Sequence, residues 1–459
     1  MEKIPVIAIF DVGKTNKKLL LFNEKYEVVH EETSTMNEIT DEDGFPCEDI
    51  NALTGWLKDS FQAVLSNERF VVKGVNFSAY GASFVYTDST GKVLLPLYNY
   101  LKPYPLKLQK QFYETYGGES MVAKQTASPV LGNLNSGMQI YRLKYEKPEV
   151  FTRVKYALHL PQYLSFVLSG TFNADITSIG CHTNLWHFQK NKYHEWVLRE
   201  QIAEKFPPLK DISEIAGFAE NSIPVGIGLH DSSAALVPYL TAFSEPFILL
   251  STGTWCITLN PFNHSVLTDY ELHNDCLCYL SYKGNPVKAS RLFAGNEHEQ
   301  QVKRLASHFL TEVNYYKRVK ADKLLMKKFM PAYKSMHTTG ETVMIGESGF
   351  SKRKLSVYKN YDEAYHQLIA DIMEQQVRST GIALKGTAVK RIFVDGGFSK
   401  NSIYMHLLAD AFPEIEVFAA TVAQASSLGA AMVMHKHWNS QSFPADIIDL
   451  KLYRDVIEY

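Results

Sequence analysis

The chain has 459 residues, enough for two or three domains with sizeable cores. Apolar residues make up 46% and charged residues 21%, and the formal net charge is -2, so no strong pull toward nucleic acid or a membrane surface is expected. No apolar run approaches the roughly 20 residues of a membrane span, MEKIPVIAIF is too short and too quickly polar for a signal peptide, and five scattered cysteines read as reduced thiols, the C-x-C pair Cys276 and Cys278 lacking a second pair at zinc spacing. A cytosolic enzyme or ATPase fits this composition.

The chain opens with an apolar run, IPVIAIF, a short polar turn, DVGKTN, and a second apolar run, LLLF. Two apolar runs around a tight turn predict a β-hairpin. The Gly-Lys-Thr inside it resembles the tail of a P-loop, but that motif needs a glycine five residues before Gly13, and Ala8 stands there inside a strand. A P-loop is therefore excluded. Val72 to Asp88 reads as strands broken at Gly81, and KVLLPLYNYL continues in extended form, demoted to edge or turn by Pro96. Helices are predicted for Lys107 to Tyr116, ending at Gly117-Gly118, and for Pro161 to Leu168, stopping at Gly170. In Ile227 to Leu240 the pair His230-Asp231 lies at a Gly-rich turn ahead of an apolar helix, and Pro238 to Pro246 is the expected linker. FILLSTGTWCITL, from Phe247, repeats the opening layout of apolar run, Ser/Thr/Gly turn and returning run, so two related domains are expected, 1–243 and 244–459. Lys317 to Lys328 and Met336 to Leu355 read as variable surface. Tyr361 to Leu384 is long and amphipathic, Val389 to Gly397 is a buried strand feeding a glycine turn, and SIYMHLLADAF is helical. Val422 to His437, rich in small residues, reads as a helix packed closely against a neighbour.

Three of these turns can hold an anion. Backbone N–H groups and hydroxyls of a tight Gly/Ser/Thr turn can encircle phosphate oxygens without a helix dipole. DVGKTN offers Gly13, Thr15 and Asn16, with Lys14, Lys17 and Lys18 close by; STGTW offers Ser251, Thr252, Gly253 and Thr254. DGGFSKN, with Gly396, Gly397 and Asn401, follows a strand and opens a helix, and its glycines permit close approach of a ligand. Each alone is an ordinary turn; the three in this order carry more weight. Asp231 has two readings, a helix cap or a general base facing a cleft with His230 beside it, and the local sequence favours the cap.

Together the four segments resemble the FGGY family of carbohydrate kinases, from about Ile4 to about Met434. That resemblance implies an α/β protein of two actin-like (ribonuclease H-like) ATPase domains with a cleft between them. DVGKTNKK is similar to the family's first phosphate loop, with Asp11, Gly13, Thr15 and Lys18 matching; GLHDSSAAL to the stretch holding the catalytic aspartate, which maps to Asp231; LLSTGTW to the second phosphate loop; and DGGFSKN with QASSLGAAM to the adenosine-binding element. His230 directly before Asp231, and the segment SAYGASFVYTD, resemble the rhamnulokinase and fuculokinase branch. Lys14 and Ser83 depart from the family's usual residues, and the helix ASRLFAGNEHEQQVKRL matches poorly beyond Arg291, so no adenine contact is expected from it.

The implied cofactors are ATP and Mg²⁺, the metal held through water near Asp11. Asp231 would accept the proton of the attacking alcohol, and the hairpin hydroxyls, that of Thr252 among them, would face phosphate. The sugar would contact Tyr80, Gly81, Ser83, Asn99 and His230, with Tyr80 and Phe84 as an apolar wall for a methyl group. The expected partner is a small-molecule sugar, with no nucleic acid, no membrane, and a monomer or homodimer. A 6-deoxyketohexose ranks first as substrate and a pentulose second. An actin-like or chaperone-like ATPase switch is the rival; it would share the hairpins but lack the sugar-facing His-Asp pair.

Overall fold

The structure is a computed structural model, and it describes residues 3–330, 345–422 and 424–454. The described residues fall into two compact units. The first comprises 1–242 with 278–286 and 423–447; the second comprises 243–277, 287–422 and 448–459. A single cut at 243/244 therefore does not divide the chain by compactness, because two later segments group with the first unit.

In the first unit β1 (Ile4–Val12) and β2 (Lys17–Asn23) form the expected hairpin, with Asp11 opposite Lys18. β3 (Val28–Ser34) adds antiparallel to β2, and β4 (Phe70–Ala79) runs parallel to β1 on its other side. β5 (Ile215–Phe218) and β6 (Pro224–Gly226) extend the sheet in the order β5-β6-β4-β1-β2-β3, and Leu229–His230 pairs with the end of β4. β1 is buried on both faces, so it reads as a continuous apolar run. Its residues Val6, Ala8, Phe10 and Val12 join the core with Leu53, Leu57 and Phe61 of helix α1 (Ile50–Leu65). The alternate residues point to the other face, and Asp11 lies on it. Helix α2 (Leu160–Ser169) ends at Gly170, whose φ of 69° is the left-handed stop that glycine favours.

Helix α3 runs over Asp231–Ala242 with Pro238 inside it. The expected linker thus begins five residues too early, since its first half, 238–242, completes a helix. In the second unit β7 (Phe247–Thr252) and β8 (Cys256–Asn260) form the second hairpin. With β9 (Cys276–Leu280), β10 (Pro286–Leu292), β11 (Arg391–Gly396), β12 (Glu416–Thr421) and β13 (Asp449–Tyr453), they make a sheet ordered β9-β10-β8-β7-β11-β12-β13. Helices α4 (Ala294–Phe309), α5 (Tyr361–Leu384) and α6 (Ser402–Ala411) pack on it.

The two sheets repeat one topology. β3-β2-β1-β4-β6-β5 and β10-β8-β7-β11-β12-β13 show the same succession of antiparallel, antiparallel, parallel, parallel and antiparallel pairs. The expected duplication is therefore present at the level of whole sheets. Helix α7 (Ala425–Val433) packs on α3, and a Cβ at Gly429 would lie 1.9 Å from the Ala234 carbonyl oxygen, the close approach its small residues predict. Among the described residues no helix is long and apolar enough to cross a membrane. Part of the tract read as variable surface, 336–344, lies outside the described residues. The rest is not surface throughout: Phe350 is wholly buried in the second core, as is Met326.

Candidate active site

The tip of the first hairpin is the loop 13–16, closed by the Gly13 N–H donating to the Asn16 carbonyl at 3.0 Å. Thr15 and Asn16 are exposed, while Lys17 turns inward and is buried. Its ammonium donates to the carbonyls of Gly13 and Lys14, both at 3.1 Å, and pairs with Glu48. Glu48 also accepts from the Tyr80 hydroxyl, so one buried carboxylate ties the phosphate-type turn to the strand end at Tyr80. Lys18, on the Asp11 face, pairs with Glu31 and Gln424, each at 3.1 Å, and Lys14 pairs with Glu38 at 3.2 Å. The three lysines of one short turn thus differ: one is structural, one shares the face of Asp11, and one is engaged outside the turn.

Asp11 Oδ2 accepts from Ser426 at 2.6 Å and Ser427 at 2.9 Å, at the start of α7. Burial raises its pKa, the two serine hydroxyls work against that, and the charge of Asp231 nearby raises it further. These serines were not singled out; the small-residue helix was read for close packing and for its likeness to the adenosine-binding element.

Asp231 is the first residue of α3. A capping carboxylate accepts from N–H groups two or three residues on. Asp49 and Asp175 do this, each accepting from the residues at +2 and +3. Asp231 instead accepts from its neighbour Ser232, from the N–H at 2.6 Å and the hydroxyl at 3.2 Å, and among the described residues from no backbone N–H at +2 or +3. It does not have cap geometry. A third of its side chain is open (36%), yet the protein mass around it desolvates the carboxylate and pushes its pKa up to about 6. Tyr100, which was not singled out, lies close enough that the Asp231 charge raises its pKa in addition to burial.

His230 is buried beside Asp231, its Nε2 3.1 Å from Asp231 Oδ1 and 3.1 Å from the Cys181 sulfur. Burial pushes its pKa down to about 3, so the ring is neutral. Its backbone N–H donates to the Thr177 hydroxyl at 3.0 Å, which anchors it to the small helix capped by Asp175. Gly81 lies over the ring: a Cβ there would sit 2.9 Å from the Cys181 sulfur and 3.1 Å from the imidazole. Glycine is required by that approach, not by φ. The structure therefore brings Gly81, His230 and Asp231 together. In the other expected sugar contacts, Tyr80, Ser83 and Asn99, one side-chain oxygen each is engaged within the protein. The Ser83 hydroxyl donates to the Tyr98 carbonyl at 3.3 Å, and Asn99 Oδ1 accepts from the Leu101 N–H at 3.0 Å, closing a local turn. Phe84 cannot form a sugar wall, because it is wholly buried against Phe206 and His159. Tyr80 and Tyr100, with ring centroids 5.9 Å apart, take its place as the available aromatic pair.

In the second unit the loop 253–255 is closed by the Gly253 N–H donating to the Trp255 carbonyl at 2.8 Å. Ser251 pairs across the parallel ladder with Asp395 and Thr252 with Gly396. The Thr252 hydroxyl donates to the Asp395 carbonyl at 2.5 Å and accepts from the Phe398 N–H at 3.0 Å. It joins two turns, a role the sequence did not suggest for it. Gly396 has φ 89°, and a Cβ there would meet the Thr252 carbonyl at 2.0 Å, so both conformation and space demand glycine. Gly253 and Thr254 remain exposed. A cavity of about 1010 Å³ adjoins these turns, with Thr252, Gly253, Gly397 and Asn401 in its wall. Gly295 and His298 of α4 line it too, as do residues 316–320. Neither segment was expected at a site: α4 matched poorly and 317–328 read as surface.

Among the described residues no group of three or more His, Cys, Asp or Glu side chains is disposed to hold a metal.

The FGGY family of carbohydrate kinases, N-terminal domain, matches residues 6–237, and the carbohydrate kinase FGGY, C-terminal domain, matches 244–442. A rhamnulokinase of Mannheimia succiniciproducens is 22% identical over 259 residues, 55% of this chain and 52% of that protein, so the chain spans about half the length of that relative. An L-fuculokinase of Haemophilus influenzae is 20% identical over 461 residues, 93% of each. Among solved structures, a carbohydrate kinase from Novosphingobium aromaticivorans has a TM-score of 0.79 at 20% identity, covering 99% of this chain and 95% of that one. A ligand-bound xylulose kinase from Lactobacillus acidophilus has a TM-score of 0.78 at 16% identity, covering 99% and 94%. At these identities the structural likeness shows the fold.

Proposed function

The chain belongs to the FGGY family of carbohydrate kinases, and from that premise we propose that it transfers the γ-phosphoryl group of ATP to a primary hydroxyl of a small ketose, with Asp231 as general base. The observation that carries this is the Asp231 carboxylate: partly open, not engaged as a cap, and poised at a pKa of about 6. A base near neutrality both exists deprotonated and holds the proton it takes. His230, neutral and held by Thr177, fixes one side of that carboxylate. Phosphoryl transfer is otherwise a matter of positioning and charge neutralisation. The exposed backbone N–H groups of the two hairpin loops and Lys18 supply donors for phosphate oxygens. Asp11 is the carboxylate that would hold Mg²⁺, which would supply charge neutralisation on the phosphates.

The substrate we propose is a 6-deoxyketohexose, L-rhamnulose or L-fuculose, phosphorylated at C1. Support comes from the His230-Asp231 pair and from the rhamnulokinase and L-fuculokinase likeness. The Tyr80–Tyr100 pair offers an apolar surface for a methyl group. Such a surface separates methyl from hydroxymethyl by only about 1–3 kcal/mol, so pentuloses rank second. The test is kcat/KM for L-rhamnulose, L-fuculose, D-xylulose, L-ribulose and glycerol, read as ADP release. Preference for a deoxyketohexose is expected. Preference for glycerol or a pentulose overturns the substrate ranking, and no sugar-dependent ADP release with any of them overturns the kinase reading.

A further inference from the structure

The second-unit cavity has a wall whose hydrogen-bond directions can be worked out from one end to the other. Asn401 Oδ1 caps α6, accepting from the N–H groups of Ile403 at 3.1 Å and Tyr404 at 3.2 Å. That fixes the amide orientation, so its Nδ2 donates to the Tyr365 hydroxyl at 2.8 Å. The Tyr365 side chain is buried, and its hydroxyl, already accepting, has its proton left for His298 Nε2 at 2.9 Å. His298 Nε2 is therefore the acceptor, and the single ring proton of a neutral imidazole must sit on Nδ1. Burial pushes the His298 pKa down to about 4, which agrees with a neutral ring. Nδ1 has no hydrogen-bond partner in the protein among the described residues, and His298 lines the cavity. Tyr316, Tyr365 and Phe398 present their rings to the imidazole at 4.9–5.8 Å and hold it in place.

We propose that His298 recognises the nucleobase in this cavity, its Nδ1–H donating to a ring nitrogen of adenine, with Asn401 and Tyr365 as positioning residues that set the tautomer. The inference rests on the nucleotide-dependent reading above. It gives α4 a part that its sequence did not suggest.

The test is calorimetric binding of ADP to the full chain without sugar, so that it does not depend on turnover. His298→Phe keeps an aromatic ring and removes the donor; one neutral hydrogen bond predicts a loss of affinity of about five- to tenfold. Tyr365→Phe keeps the packing and releases the tautomer, so a smaller loss of about twofold is expected. A set of ADP analogues, each lacking one ring nitrogen of the base, identifies the contact. One analogue should lose affinity for the wild type and lose nothing further against His298→Phe. Wild-type ADP affinity in a folded His298→Phe variant, or analogue losses identical in both proteins, overturns the proposal. Selective loss of ADP binding in His298→Phe, with no sugar-dependent ADP release by the wild type, would uphold this inference and remove the kinase reading.

Discussion

The two hairpins stand at equivalent places in two sheets of one topology, yet their turns are held by different chemistry. In the first, the buried Lys17–Glu48 pair grips the turn from beneath and extends to Tyr80. In the second, an uncharged hydroxyl, Thr252, bridges to the backbone of Asp395 and Phe398, and glycine at 396 lets the strands meet. The comparison shows that a fold can repeat while the residue securing each loop is chosen by its surroundings. It also separates loop residues that face a ligand from those that hold the loop.

Breaking each device tests that separation. Lys17→Met leaves Glu48 buried and uncompensated, which costs about 3–5 kcal/mol; chemical denaturation should show that loss, and a change under 1 kcal/mol would mean the pair is not structural. Thr252→Val leaves the Phe398 N–H without its acceptor, for about 1–3 kcal/mol. The melting temperature should fall while ADP affinity changes less than about twofold, and Thr252→Ser should restore stability. A Thr252→Val protein with unchanged melting but much weaker ADP binding would return that hydroxyl to the phosphate. Lys14→Ala should do least: an exposed pair with Glu38 contributes about 0–1 kcal/mol, and neither stability nor KM for ATP should move measurably.

The hairpins, the long helix at 361–384 and the glycine turn after 391 were legible because each rests on local pattern: apolar runs, turn residues, helical spacing. Asp11, Gly81, His230 and Asp231 were singled out through the resemblance to the family, since the local sequence alone favoured a cap at Asp231. What the sequence left hidden depends on partners far along the chain. The direction of Lys17 is set by Glu48, 31 residues on, and that of the Thr252 hydroxyl by Asp395, 143 residues on. The Asn401–Tyr365–His298 relay joins three helices, so no local window contains it. The grouping of 423–447 with the first unit likewise follows from packing of α7 on α3, which no break in composition marks.

The pH profile sharpens the account of Asp231. A general base works deprotonated, so with a pKa of about 6 the rate should fall as pH drops through 6 and level off above it. A flat profile between pH 5 and 8 would mean that another group takes the proton.

The most direct measurement is sugar-dependent ADP release by Asp231→Asn beside its melting curve. Asparagine keeps the shape and an oxygen that can accept from Ser232, and removes the base. The account predicts that kcat falls by about 10² or more with melting nearly unchanged; wild-type turnover with a colder melting curve would contradict it and return Asp231 to the role of a helix cap.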